Sequence, residues 1–255
     1  MEKSFDTEKE HGNNVICGRN SVMEAIRSGR EIDRLLVAHG QSGGSVAAII
    51  AKCSARGILI KEVSPQKLDY MCGNANHQGV AVMFATQEYC EVSDILDTAK
   101  ERNENPFIII CDEIEDPHNL GAIIRTAEAC GVHGIIIPKR RSASLNATVA
   151  KSASGALEYM KVARVTNIAN EIESLKKQGV WVFGADMDGK DYTDFDYSVP
   201  TAIVIGNEGN GIGPLVLKKC DETISLPMNG KINSLNASVA AGVIMYEVVR
   251  KRSMK

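Results

Sequence analysis

Residues 107–138 read FIIICDEIEDPHNLGAIIRTAEACGVHGIIIP. Two apolar runs of strand length, 107–111 and 134–138, bracket a polar loop and a stretch of helical periodicity. Unbroken runs of this kind suit strands buried on both faces, as in a parallel sheet covered by helices. The alternation continues downstream, with strands expected near 161–165, 180–185, 201–206 and 223–227 and a final helix over about 234–250. A mostly parallel α/β sheet follows. In such sheets ligands bind beyond the carboxyl ends of the strands, so the loops after them are where chemistry is to be sought.

Upstream, strand-length runs at 32–38, 58–63 and 79–85 alternate with helix-periodic stretches at 21–27, 46–56 and 65–71, which describes a second, smaller α/β domain. The chain of 255 residues thus divides into a disordered tail (1–14), a small domain (15–85), a linker, partly helical (86–105), and a larger domain (106–255). Charge supports the division. The formal net charge of -3 argues against coating a polyanion by bulk electrostatics. By segment it runs -2, +3, -4 and zero, so a basic small domain is hidden behind an acidic tail and linker. Seven cysteines without a CxxC pair make neither a disulfide framework nor a zinc site, and no metal is expected. Without a signal-type apolar segment or a run long enough to span a bilayer, the expected location is the cytoplasm, with no membrane partner.

Three loops concentrate the polar chemistry. In the first, Pro117 keeps Asp116 extended and Asn119 is suited to cap the helix that carries Arg125. Arg125 sits in an apolar stretch and either pairs with a buried carboxylate or faces a ligand phosphate. His118 is read as a solvated loop residue. The second loop, 205–214, has four glycines in eight residues around Glu208 and fits neither a dinucleotide fingerprint nor a phosphate loop. The third, 224–236, runs from Leu226-Pro227-Met228 to Ser234-Leu235-Asn236, where the last helix opens. Ser144–Ala150 (SLNATVA) echoes Ser234–Ala240 (SLNASVA), and both are read as helix starts capped by a Ser or Asn oxygen.

Together these segments resemble the three signature motifs of the SpoU/TrmH (SPOUT class) family of RNA ribose 2'-O-methyltransferases. DPxNxGxxxRTA is matched from Asp116 to Ala127, IGNEGxG from Ile205 to Gly211, and the LPM turn with SLNxSxA from Leu226 to Ala240. The small domain resembles the ribosomal-protein-like RNA-binding domain that precedes the catalytic domain in many members, through Gly18-Arg19-Asn20-Ser21-Val22 with Glu24-Ala25 and through His77-Gln78-Gly79-Val80. The resemblance implies a six-stranded sheet ending in a C-terminal trefoil knot, a homodimer with its cofactor pocket near the interface, and S-adenosylmethionine as methyl donor. It assigns Asn119, Arg125, Glu208, Ser234 and Asn236 to catalysis, and Gly206, Leu226, Met228 and Leu235 to the cofactor. The family's proposed activator of the 2'-hydroxyl is Arg125. An arginine side chain stays protonated, so gripping a phosphate is the more economical role.

RNA contact calls for local positive charge. Residues 138–165 carry six basic side chains against Glu158, among them Arg140 and Arg141, which with Arg19 are the candidate RNA contacts. The substrate favoured by the resemblance is a guanosine in large-subunit (23S) ribosomal RNA. A tRNA methyltransferase and a non-catalytic RNA-binding protein are the alternatives. A dinucleotide oxidoreductase is disfavoured by the missing GxGxxG.

Overall fold

The computed structural model describes residues 14–29, 32–231 and 234–254. Nearly all of the expected tail, residues 1–13, lies outside them. The chain forms two compact units, one ending at Glu88 and the other beginning at Tyr89.

The first unit holds a four-stranded sheet in the order β1 (Val15–Cys17), β4 (Val80–Phe84), β2 (Ile32–Ala38), β3 (Leu59–Val63). β2 and β3 are parallel, and β4 runs antiparallel to both of its neighbours. Period-two alternation sends Leu35 and Val37 to one face, where they meet Val22 and Ile26 of α1 (Arg19–Arg27) and Val46 and Ile49 of α2 (Ser45–Ala55). Leu36 and Ala38 face the other way, onto Leu68 of α3 (Pro65–Met71). β1, three residues long, is too short to stand out in the sequence.

Residues 86–105 depart from a linker. α4 (Val92–Glu101) buries Ile95, Leu96 and Ala99 against the second unit's sheet, and Cys90 bridges to Ala163 on its edge strand. The acidic side chains occupy the exposed face of an amphipathic helix that is part of the second core.

That core is built on six strands, all parallel to their neighbours, in the order β10 (Glu222–Ser225), β8 (Trp181–Asp191), β9 (Thr201–Ile205), β5 (Phe107–Cys111), β6 (Gly134–Pro138), β7 (Val162–Val165). Helices α5 (Pro117–Ala129), α6 (Ala147–Ala153) and α9 (Ala237–Ser253) cover one face, while α4, α7 (Ile168–Lys177) and α8 (Pro214–Lys219) cover the other. β5 starts the series near the sheet's centre. The chain then builds outward to β7 and returns to the opposite side through β8 and β9, so the topological switch lies between β5 and β9.

β8 is longer than the expected strand. Its Gly184 and Lys190 pair with the consecutive residues Thr223 and Ile224, so 185–189 bulge out of the ladder. α9 starts at Ala237 and runs to Ser253, three residues later at each end than expected, because Asn236 and not Ser234 is its cap. In the echo segment Asn146 likewise caps α6. α9 buries Ala241, Ile244, Met245 and Val248 but leaves Val239, Val243 and Tyr246 exposed. Among the described residues no helix is long and apolar enough to cross a membrane.

Gly121, the glycine of the first motif, marks the crossing of α5 and α6. A Cβ there would stand 2.4 Å from Ser152 Cβ and 2.8 Å from the Val149 carbonyl oxygen. Gly121→Ala is therefore expected to cost about 1–3 kcal/mol by overpacking, read as a lowered unfolding midpoint. An unchanged midpoint would show that the crossing can relax.

Candidate active site

The loops after β5 and β9 meet at the switch point. The Asp112 N–H donates to the Ile205 carbonyl at 2.8 Å, and the Gly213 N–H donates to Asp112 Oδ2 at 2.8 Å. Asn207 and Gly211 exchange backbone hydrogen bonds and make a tight hairpin with Glu208 at its tip, while Asn207 Nδ2 donates to the Glu113 carbonyl at 3.1 Å. This fixes the second loop against the first.

Asn119 does not cap α5. Asp116 does, accepting from the His118 N–H at 2.9 Å, with Pro117 in the first helical position where its missing N–H costs nothing. Asn119 lies one turn in, nearly buried, and its carboxamide is free for the site. Its Nδ2 donates to Glu208 Oε1. Asn236 Nδ2 donates to Asn119 Oδ1 at 2.9 Å and to Glu208 Oε1 at 3.0 Å. The orientation of the Asn236 amide follows from the helix: its Oδ1 accepts from the Ser238 and Val239 N–H groups at 3.0 and 3.3 Å, so its NH2 must point at the carboxylate. One side chain from each motif thus converges on one carboxylate.

Beside this cluster opens a cavity of about 470 Å³, within the range of small-molecule sites. Gly206 forms its floor where no side chain fits, since a Cβ there would lie 2.2 Å from the Gly211 backbone. Ile205, Ile224, Leu226, Leu235 and Ile244 supply apolar wall, and Met228 and Ser234 also line it. All four expected cofactor residues therefore share one cavity. Asp186, Asp188 and Glu208 line it, and among the described residues no Lys, Arg or His does. A wall with three carboxylates and no cation suits a positively charged ligand.

The other candidates lie elsewhere. Arg125 follows Asn119 by six residues, about 9 Å along the helix, and is not hydrogen-bonded to the Asn119–Glu208–Asn236 cluster. It is exposed, its Nη1 donates to Ser154 Oγ at 3.3 Å, and among the described residues no carboxylate pairs with it. The buried-partner alternative is thus removed. In the first unit Arg19 is held by the Gln78 carbonyl, Ser45 Oγ and Gln41 Oε1, tying together the two segments that suggested an RNA-binding domain. The basic strip is partly committed as well. Arg141 pairs with Glu113 at 2.7 Å, Lys161 donates to the Asp94 carbonyl, and Arg164 donates to the Lys139 carbonyl and lies over the Tyr89 ring. Arg140 is exposed.

Sequence reasoning missed Asp112, Asp186 and Asp188. The signal for Asp112 was its place immediately after a central strand. For the other two it was a second polar, glycine-containing segment after an apolar run, hidden because the strand is longer than its apolar part. Burial holds the Asp112 carboxyl above the ordinary carboxylate range, with the Gly213 N–H and the Arg141 guanidinium pulling it partway back. Ionising a group raised in this way costs stability as pH climbs through the window above the ordinary value. Relative to Asp112→Asn, the wild type is expected to lose stability in urea unfolding as pH rises above the ordinary carboxylate value of about 4. Parallel profiles would refute the assignment.

The sequence model of the SpoU rRNA Methylase family matches residues 106–246, and that of the RNA 2'-O ribose methyltransferase substrate-binding domain matches residues 15–90. YacO of Bacillus subtilis, described as a TrmH family tRNA/rRNA methyltransferase, is 49% identical over 239 residues, which is 93% of this chain and 96% of that protein. The AdoMet-bound rRNA methyltransferase of Sinorhizobium meliloti superposes with a TM-score of 0.59 at 28% identity, covering 93% of this chain and 87% of that one. The A. aeolicus TrmH/SpoU tRNA modifying enzyme does so with a TM-score of 0.55 at 29% identity, covering 62% of this chain and 83% of that one. S-adenosylmethionine, a purine nucleoside carrying a sulfonium and an ammonium group, fits a cavity with an apolar wall and three carboxylates. The chain belongs to the SpoU/TrmH family of S-adenosylmethionine-dependent RNA ribose 2'-O-methyltransferases.

Proposed function

We propose that the chain methylates a ribose 2'-hydroxyl in ribosomal RNA, at a large-subunit guanosine, with the first unit as its RNA-binding domain. The observation that carries the site is the convergence of Asn119, Glu208 and Asn236 beside the anionic cavity. The choice of RNA is supported by coverage. The rRNA methyltransferase structure aligns with both units, whereas the tRNA-modifying enzyme aligns over a span too short to include both.

When bound, S-adenosylmethionine supplies a methyl group on a cationic sulfur that must be met in line by the ribose oxygen. Gly206, Leu226, Met228 and Leu235 would hold the cofactor, and the Asp188 and Glu208 carboxylates favour its charge. Asn119 and Asn236 fill Glu208 Oε1 and leave Oε2 to accept from the ribose hydroxyl. Ser234 lies at the wall of the same cavity. Positioning of this kind supplies about 7–11 kcal/mol of a bimolecular barrier. Arg125 acts as a phosphate clamp next to the acceptor ribose, because a guanidinium offers paired donors and no basic lone pair.

Two copies pair through the exposed apolar side chains of α9 (Val239, Val243, Tyr246), which form a groove with Ala122 and Thr126 of α5. Arg125 shares that helix face, one turn after Ala122, so a homodimer brings it to the interface. The same proposal includes the trefoil knot. It is supported by the close passage of Gly189 against the backbone of Ile224, thirty-five residues later in the chain. A cytoplasmic location is supported by seven cysteines that are all free.

The test is labelled methyl transfer to ribosomal RNA and to tRNA from cells lacking this protein, with the product mapped to the nucleotide. Ribosomal RNA is expected to accept and tRNA to remain unlabelled; the reverse would overturn the substrate. Arg125→Ala and Arg125→Lys are both expected to lose about 100-fold or more in turnover while keeping cofactor affinity, since neither restores a bidentate grip. A Lys variant with near-wild-type turnover would reject the clamp. Arg140→Glu is expected to weaken RNA binding and lower the slope of its salt dependence by about one or more. Unchanged affinity and slope would remove Arg140 from the interface.

A further inference from the structure

The acidic groups of the cavity sit at two ends of one hairpin. Glu208 is at the tip, joined to Asn119 and Asn236. Asp186 is at the base, where its Oδ2 lies 3.5 Å from where a Cβ on Gly211 would be. It is carried there by the 185–189 bulge of β8. Its Oδ1 accepts from the Asp188 N–H at 3.2 Å, which sets the carboxylate's orientation, and among the described residues no group donates to Oδ2. The reacting methyl belongs at the tip, beside the three motif side chains, which leaves the base of the hairpin for the nucleoside. A carboxylate oxygen without a donor, set against glycine backbone in a ligand cavity, is suited to a neutral vicinal diol.

We propose that Asp186 is the ribose-recognition residue of the cofactor site, accepting hydrogen bonds from the 2'- and 3'-hydroxyls of the adenosyl group. This rests on the assignment of the cavity to S-adenosylmethionine. It makes Asp186 a residue that selects the nucleoside and not one that reads the sulfonium charge.

The experiment is calorimetric titration of the full chain, wild type and Asp186→Asn, with S-adenosylmethionine, S-adenosylhomocysteine and the 2',3'-dideoxyadenosyl form of the latter. Asn retains the turn acceptor and replaces only the second oxygen. Asp186→Asn is expected to weaken the first two ligands equally, by about tenfold, and to bind the dideoxy form as the wild type does. Unchanged affinities overturn the proposal, as does a loss confined to the sulfonium. Leu235→Trp, at an exposed position of the wall, separates this from the underlying assignment. If it fills the cavity and abolishes binding while Asp186→Asn is silent, only the role of Asp186 falls. If it leaves binding intact, the cavity assignment falls with it.

Discussion

The carboxamide of Asn236 closes the loop after β10 and opens α9, and its two ends do different work. The oxygen accepts from the free N–H groups of the helix start, and the nitrogen donates to Glu208 and Asn119. A cap of this kind stabilises a helix by about 1 kcal/mol. Because the amide cannot satisfy the helix with its nitrogen, the cap also dictates which way the NH2 points. The active-site cluster is therefore oriented by the same constraint that starts the longest helix of the second unit. Asn146 makes the same kind of cap for α6 without a hydrogen bond to that cluster, so the repeated heptapeptide is a shared local structure put to two uses.

How much of this was legible in the sequence depends on how far the determining interaction lies along the chain. Phe107–Cys111 and Gly134–Pro138 stand where the apolar runs placed them, because a strand buried on both faces shows its whole length as apolar residues. β8 does not. Only its first half is core, and beyond the 185–189 bulge Lys190 and Asp191 are held by pairing with a strand more than thirty residues later. Asn119 was read as a cap because a polar residue near a helix start ordinarily is one; Asp116 and Pro117 already fill that role, which local spacing could not reveal. The acidic composition of residues 86–105 reads as a partly helical linker, although Ile95, Leu96 and Ala99 follow the spacing of a buried helix face.

Charge shows the same limit. Counting basic residues located a strip at 138–165, but a count cannot tell a solvated cation from one already engaged. Arg141, Lys161 and Arg164 hold loops and helix ends in place, and Arg19 does so in the first unit. The positive surface available to a polyanion is accordingly smaller than the composition suggests. Arg125 goes the other way: its apolar stretch allows either a buried carboxylate partner or a ligand phosphate, and the structure leaves it in the open with a serine as its neighbour.

The cavity is lined entirely by residues between Ala185 and Ile244. Proteins are synthesised from the amino end, so every wall of the methyl-donor site emerges from the ribosome after the whole first unit and the first three strands of the second sheet. Translation that stops just before Ala240 releases a chain with the whole first unit and all six strands of the second sheet but without most of α9 to close the cavity. Such a fragment keeps the candidate RNA contacts Arg19 and Arg140 and lacks the wall that Ala240 and Ile244 supply.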